Sequence, residues 1–158
     1  MRERQLKALL LNVAPLLIAA ALLAASAGAD DSETSHATLA AGCFWCIEAD
    51  LEKVEGVISV VSGYTGGTVA NPSYKQVSAG RTGHTEAVRV VFDPRVISYG
   101  ELLEIFWRNI DPTVNDRQFC DVGSQYRAAI FYHDEKQRRE AEKSRALIDA
   151  TKPFSDPI

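Results

Sequence analysis

Gly42-Cys43-Phe44-Trp45-Cys46 constrains this chain more than any other stretch. Two thiols three positions apart enclose two aromatic side chains, directly after a glycine. Thr38 to Ala41 reads as a short strand leading in. Behind the pair, Phe44, Ile47, Leu51 and Val54 recur with helical spacing, and Gly56 stands where a helix C-terminus favours glycine. Strand, tight glycine turn and helix start together present a side chain at the end of a sheet. Cys43 is thereby placed in or just before the first helical turn, where unpaired N–H groups and the positive dipole end favour the reactive thiolate.

The rest of the chain supplies the sheet and its covering helices. Val57 to Tyr64 is rich in β-branched residues and reads as a strand. Gly63 to His84 follows as a loop of about twenty residues with two tyrosines, more than a simple connector needs, and such loops are usually functional. Thr85 to Phe92 is the clearest strand: Glu86, Val88, Val90 and Phe92 share one face. A carboxylate on that face leaves two readings open. Buried, Glu86 holds its proton near neutral pH because desolvation penalises the charge; at the strand's exposed mouth it is simply solvated. Ser98-Tyr99-Gly100-Glu101 has the form of a capping box, opening a helix with Leu103, Phe106, Trp107 and Ile110 in its apolar stripe and Trp107 expected in the core. Asn115 to Arg127 is polar and irregular, Ala128 to Tyr132 is a last strand, and Asp134 to about Ala150 is a charged helix with Asp134 as N-cap. This order predicts an α+β fold of split β-α-β type, with helices on one face of a mixed or antiparallel sheet.

The N-terminus carries Arg2, Arg4 and Lys7, then an apolar stretch from about Ala8 to Ala25, then small residues through Ala29, the layout of a secretory signal peptide. The expected organisation is a signal peptide over 1–29, a flexible lead-in over 30–37 and one domain over 38–158. That predicts a periplasmic or secreted protein with no stable membrane association once the leader is cleaved; an uncleaved anchor is the competing reading. Cleavage after Ala29 leaves 14 basic and 20 acidic groups, a net charge of −6. Without a basic stripe, nucleic-acid binding has no electrostatic support. A monomer is expected.

Three cysteines are too few for a disulfide-stapled domain, and their odd number leaves a thiol unpaired. Cys43 and Cys46 suit thiol–disulfide exchange of the thioredoxin kind. Half a zinc site with Cys120 and a histidine, or a structural Cys46–Cys120 disulfide, are the alternatives; the second Cys-x-x-Cys or His-x3-5-His that a zinc site needs is missing.

Gly42-Cys43-Phe44-Trp45, Gly63-Tyr64-Thr65-Gly66-Gly67, Tyr74-x-x-Val77, Thr82 to Val88, Phe92-Asp93-Pro94 and Gly123-Ser124-Gln125-Tyr126-Arg127 resemble, in order and spacing, the A-type peptide-methionine sulfoxide reductases. The resemblance implies a ferredoxin-like α+β core with long functional loops and reduction of the S epimer of methionine sulfoxide, free or in proteins. It also implies roles. Cys43 attacks sulfur, Glu86 supplies a proton, Tyr74 and Tyr126 donate hydrogen bonds to the oxygen, and Asp121 completes the site. Phe44 and Trp45 form an apolar pocket for the S-methyl group. The sulfenic acid left on Cys43 is then resolved by Cys46 or Cys120. No bound cofactor is implied; a thioredoxin-like donor supplies reducing equivalents. Two departures stand out. Phe119-Cys120 occupies the place of a common Gly-Asn, and the family generally continues past a segment like Lys152-Pro153-Phe154, so the domain is expected to lack its C-terminal part.

Overall fold

A computed structural model describes residues 34–152 and 155–158; the expected signal peptide lies outside them. Four strands form the main sheet: β1 (Ser35–Ala40), β2 (Val57–Thr65), β3 (Thr85–Phe92) and β6 (Ala129–Phe131), in the order β2-β3-β1-β6. Every ladder is antiparallel. Since β1 and β2 both oppose β3, they run the same way, and β3 fills the gap that the connecting helix α1 (Phe44–Leu51) leaves between them. β3 and β6 likewise run together around β1, joined through α3 (Tyr99–Arg108). Two split β-α-β units thus interlock, as in a ferredoxin-like core.

The inward face of the sheet carries Ala37 and Leu39 from β1 and Val88, Val90 and Phe92 from β3. Against it pack Phe44, Ile47 and Leu51 of α1 and Leu102, Leu103 and Phe106 of α3. An eight-residue helix has no independent stability in water. Burying its three large apolar side chains, worth about 1.5–3 kcal/mol each, is what holds α1 in place. None of these core side chains is methionine; the sequence holds one methionine, Met1.

α3 begins at the expected capping box: the Glu101 N–H donates to Ser98 Oγ (3.2 Å), and the Ser98 N–H donates to Glu101 Oε2 (2.8 Å). The last helix, α4 (Glu135–Thr151), is N-capped by Asp134 Oδ1, which accepts from the Gln137 N–H at 2.8 Å. Trp107 lies half-buried at the seam between α3 and α4, where its indole N–H donates to Ser144 Oγ (3.1 Å).

Three boundaries move. β1 starts at Ser35 rather than Thr38, because Ser35 and His36 pair with Phe92 and Val91 at the C-terminal end of β3. α1 stops at Leu51, well before Gly56; i−3 bonds from Lys53 to Asp50 and from Val54 to Leu51 tighten its end. Gly56 (φ +88) instead makes the turn into β2, against Ile97 and Val96. The long loop is not featureless, since it contains a short helix α2 (Tyr74–Ser78), with the Ser73 N–H donating to Gln76 Oε1 at 2.8 Å.

Candidate active site

The site starts from a close approach. Gly42 has φ +87, and a Cβ there would lie 2.6 Å from the Cβ of Gln118. Only glycine satisfies both demands. The chain then turns so that Cys43 becomes the N-cap of α1, its carbonyl accepting from the N–H groups of Cys46 (3.1 Å) and Ile47 (3.4 Å). Cys43 is half-buried, Cys46 one turn further is exposed, and all three cysteines are free thiols. The Cys46 thiol is pushed up mainly by its hydrogen bond to Cys43, then by burial and by the nearby charges of Cys43, Asp121 and Asp50. Cys46 therefore keeps its proton and holds it toward the sulfur of Cys43.

Glu86 resolves to the buried reading, with 2% exposure. Its Oε2 accepts the N–H of Phe44 at 3.1 Å, so the first amide of α1 is satisfied by the carboxyl group. Burial raises the Glu86 pKa, outweighing the lowering effect of that N–H, and the charge of Asp121 raises it further.

Tyr64 and Tyr126 stand near Glu86, and Tyr74 lies near both of them. Tyr126, in the 3-10 turn Ser124–Tyr126, is pushed up by burial and then by Glu86, Tyr74 and Asp121. Tyr64 pairs across the ladder with Glu86 and is pushed up by burial, Glu86 and Tyr74. Tyr74 opens α2 and stacks on Trp45, with centroids 5.9 Å apart and planes at 16°. Trp45 is 60% exposed, against 5% for Phe44. The aromatic pair is thus divided: Phe44 belongs to the core and touches Trp45, Tyr64 and Tyr74 from below, while Trp45 and Tyr74 present an open apolar surface.

The phenols are placed by backbone clamps. The buried Thr85 hydroxyl donates to the Gln125 carbonyl (2.9 Å), fixing the 3-10 turn against the start of β3. Arg127 ties the same turn to Ser124 O (2.7 Å) and Gly83 O (3.1 Å). Gln125 donates to Ser78 O (3.2 Å) at the end of α2. His84 braces the loop, accepting at Nδ1 from the Gly67 N–H (3.2 Å) while Nε2 donates to Val69 O (2.8 Å).

A second surface of Cys43 opens into a cavity of about 270 Å³ shared with Cys46, Cys120, Asp121, Asp50 and Arg108. Cys120 and Asp121 arrive on a hairpin of β4 (Arg117–Gln118) and β5 (Asp121–Val122). Of the residues named from the sequence, Cys46, Cys120 and Asp121 share this cavity with Cys43, Glu86 bonds to the Phe44 amide next to it, Trp45 stacks on Tyr74, and Tyr126 lies near enough to Glu86 to feel its charge. Tyr64, Thr85 and Gln118 were not singled out individually. For Tyr64 a signal exists, since Val60, Ser62 and Tyr64 alternate onto the Glu86 face; Thr85 and Gln118 act through pairings that only the fold creates.

The family model for peptide methionine sulfoxide reductase matches residues 35–158. The peptide methionine sulfoxide reductase MsrA of Methanococcoides burtonii is 55% identical over 123 residues, 78% of this chain and 80% of that one. Among solved structures, the reduced form of Mxr1 from Saccharomyces cerevisiae superposes with a TM-score of 0.71 at 30% identity, covering 80% of this chain and 74% of that one. Methionine sulfoxide reductase A of Corynebacterium diphtheriae gives 0.69 at 30% identity; this chain spans 63% of its length and is itself covered over 81%.

Proposed function

The chain belongs to the A-type peptide methionine sulfoxide reductase family, and from that premise we propose that it reduces the S epimer of methionine sulfoxide to methionine, with Cys43 as nucleophile and Glu86 as acid. The observation that carries this reading is the 3.1 Å bond from the Phe44 amide to Glu86. It couples a buried carboxylic acid to the helix start whose N-cap is the thiol.

The chemistry runs as follows. The Cys43 thiolate attacks the sulfoxide sulfur, the proton of Glu86 passes to the departing oxygen, and collapse yields the thioether and Cys43 sulfenic acid. Tyr74 and Tyr126 donate to the oxygen as charge builds there, with Asp121 completing the surrounding hydrogen-bond set. Trp45, stacked on Tyr74, takes the S-methyl group against its ring. The Cys46 thiol then displaces water from the sulfenic acid, forming the Cys43–Cys46 disulfide. A thioredoxin-like dithiol protein returns the enzyme to its reduced state.

Incubating the purified chain with each epimer of a methionine sulfoxide peptide and dithiothreitol tests the proposal: the S epimer disappears and the R epimer persists. A folded protein that leaves the S epimer intact refutes it. Reduction of insulin disulfides without sulfoxide turnover would instead favour a general disulfide oxidoreductase.

Among the described residues no helix is long and apolar enough to cross a membrane. The basic, apolar and small-residue order of 1–29 supports export and repair of oxidised proteins outside the cytoplasm. N-terminal sequencing of the mature protein, expected to begin just after Ala27 or Ala29, checks it.

A further inference from the structure

The main sheet has two edges, β2 and β6, and they are finished differently. β6 is three residues long and leaves little edge for another chain to pair with. β2 runs for nine residues, Val57–Thr65, and contains no charged residue and no proline, the devices that commonly keep an edge from pairing. Among the described residues, the backbone groups of 58–65 bond to no segment except β3. Ile58 and Val61 stand on this strand at 57% and 55% exposure. The one register irregularity of the ladder lies between Val57 and Ser59, at the end away from Tyr64. Long, uncharged and open, such an edge is a template for an extended chain.

The edge leads into the candidate active site. Tyr64, next to the end of β2, sits across the ladder from Glu86, and its ring lies 5.6 Å from that of Phe44. One stripe of α1 borders the strand. Glu48 Oε2 accepts from the Ser62 hydroxyl at 2.6 Å, and Glu52, the C-cap of α1, lines a cavity of about 410 Å³ with Val57, Ile58, Ser59 and Val60. Trp45, one turn before Glu48, continues the stripe to the surface it shares with Tyr74. The border therefore runs from the cavity at Val57 past Ser62 to Tyr64 and Trp45. Sulfoxide chemistry concerns one side chain, so whatever holds the flanking chain has to be indifferent to its sequence. Backbone hydrogen bonds meet that demand, because every residue but proline carries the same donor and acceptor.

We propose that β2 takes the flank of an oxidised protein substrate as an added β-strand, bringing the sulfoxide side chain to the Trp45–Tyr74 surface at the Tyr64 end. The proposal rests on the sulfoxide reductase reading and names the form of substrate that site takes: a locally unfolded, extended segment, rather than a residue held in a helix or inside a folded sheet. The added strand lies about 4.8 Å outside β2. Alternate residues of the flank turn their N–H and C=O groups to β2, and those between turn them to water. Because β2 ends at Thr65, the ladder covers the flank on one side of the sulfoxide only. A second copy of this chain is the competing occupant. The substrate is favoured because the uncharged row ends beside Glu86, where the sulfoxide has to arrive.

The test uses the full chain with dithiothreitol. N-acetyl methionine S-sulfoxide amide presents the reacting group alone; failure to reduce it overturns the reductase reading, whereas the peptide series bears on docking, so the two failures are separable. A flank of about six mixed polar residues, about 20 Å of strand, is added before or after the sulfoxide. It is expected to lower KM about tenfold on one side and less than about twofold on the other. Single N-methylation along the effective flank is expected to restore the higher KM at every second residue and to move it less than about twofold at the residues between, since only alternate N–H groups face β2. A flank effect that is absent or equal on both sides, or N-methylation without that alternation, overturns the proposal. Light scattering reads the competing occupant: the chain is expected to be a monomer at assay concentrations, and a dimer that Val61→Lys dissociates overturns the proposal.

Discussion

Glu86 and Cys120 both lie close to the Cys43 turn, but they are held in contrasting ways. Glu86 lies at 2% exposure on a central strand, bonded to Phe44 and surrounded by segments that Thr85, Gln125 and Arg127 clamp together. Cys120 projects from a two-residue turn, with a fixed stem below and water around it. The contrast fits the role proposed for Glu86 and the sequence expectation for Cys120. A carboxylic acid remains a proton donor near neutral pH only where its charge is desolvated, and proton transfer demands fixed geometry. A thiol that exchanges disulfides with another protein has to be reachable. Cys43, half-buried, stands where the dry region meets the open one.

The largest expected effect comes from the residue both regions share. Cys43→Ser lowers sulfoxide reduction by more than about 10³-fold, since an un-ionised hydroxyl lacks the nucleophilicity of a thiolate; an epimer-resolved assay at saturating substrate reads this.

Next comes the closed region. Glu86→Gln lowers kcat by about 10²-fold. Its pH behaviour is the sharper test. The folded-state pKa of Glu86 is raised by burial, so its contribution to stability is full below the ordinary glutamate range and is lost as pH rises through the folded value. The wild type should lose both kcat and stability in that interval. The glutamine variant should show neither decline, and an identical pH profile in both proteins would remove Glu86 from the acid role.

Thr85→Val then loosens the clamp without touching substrate. It removes the hydroxyl that caps Gln125 O, costs about 1 kcal/mol in urea unfolding, and lowers kcat about tenfold, as expected when a positioned group is displaced. Last, Ser98→Ala cuts the α3 cap far from either region; it should cost about 1 kcal/mol in stability while kcat per folded molecule stays unchanged.

The elements that the sequence announces are those whose pattern is long enough to repeat. Glu86, Val88, Val90 and Phe92 define β3 over its full observed span, and Ser98 with Glu101 marks the start of α3. β4 and β5, two residues each, have no periodicity to read. α2 is five residues set among glycines and a proline, too short for a helical repeat to show. In the site, Cys43, Tyr74, Tyr126 and Asp121 were visible as motif residues. Burial of Glu86 was not decidable from alternation, because the pleat specifies a face and not a depth; the pairing with Tyr64 of β2 and the Phe44 amide of α1 are contacts that only the fold creates. Thr85 and Gln118 act across 40 and 7 positions respectively, and neither residue type signals such a partner.

The packing of the domain without methionine acquires a meaning once the substrate is considered. Oxidation turns a methionine side chain polar and disrupts any core built on it. Leucine, isoleucine, valine and phenylalanine fill this interior instead, so the oxidant that creates work for the enzyme finds no thioether there to damage. This interior is equipped to persist through the insult the protein repairs.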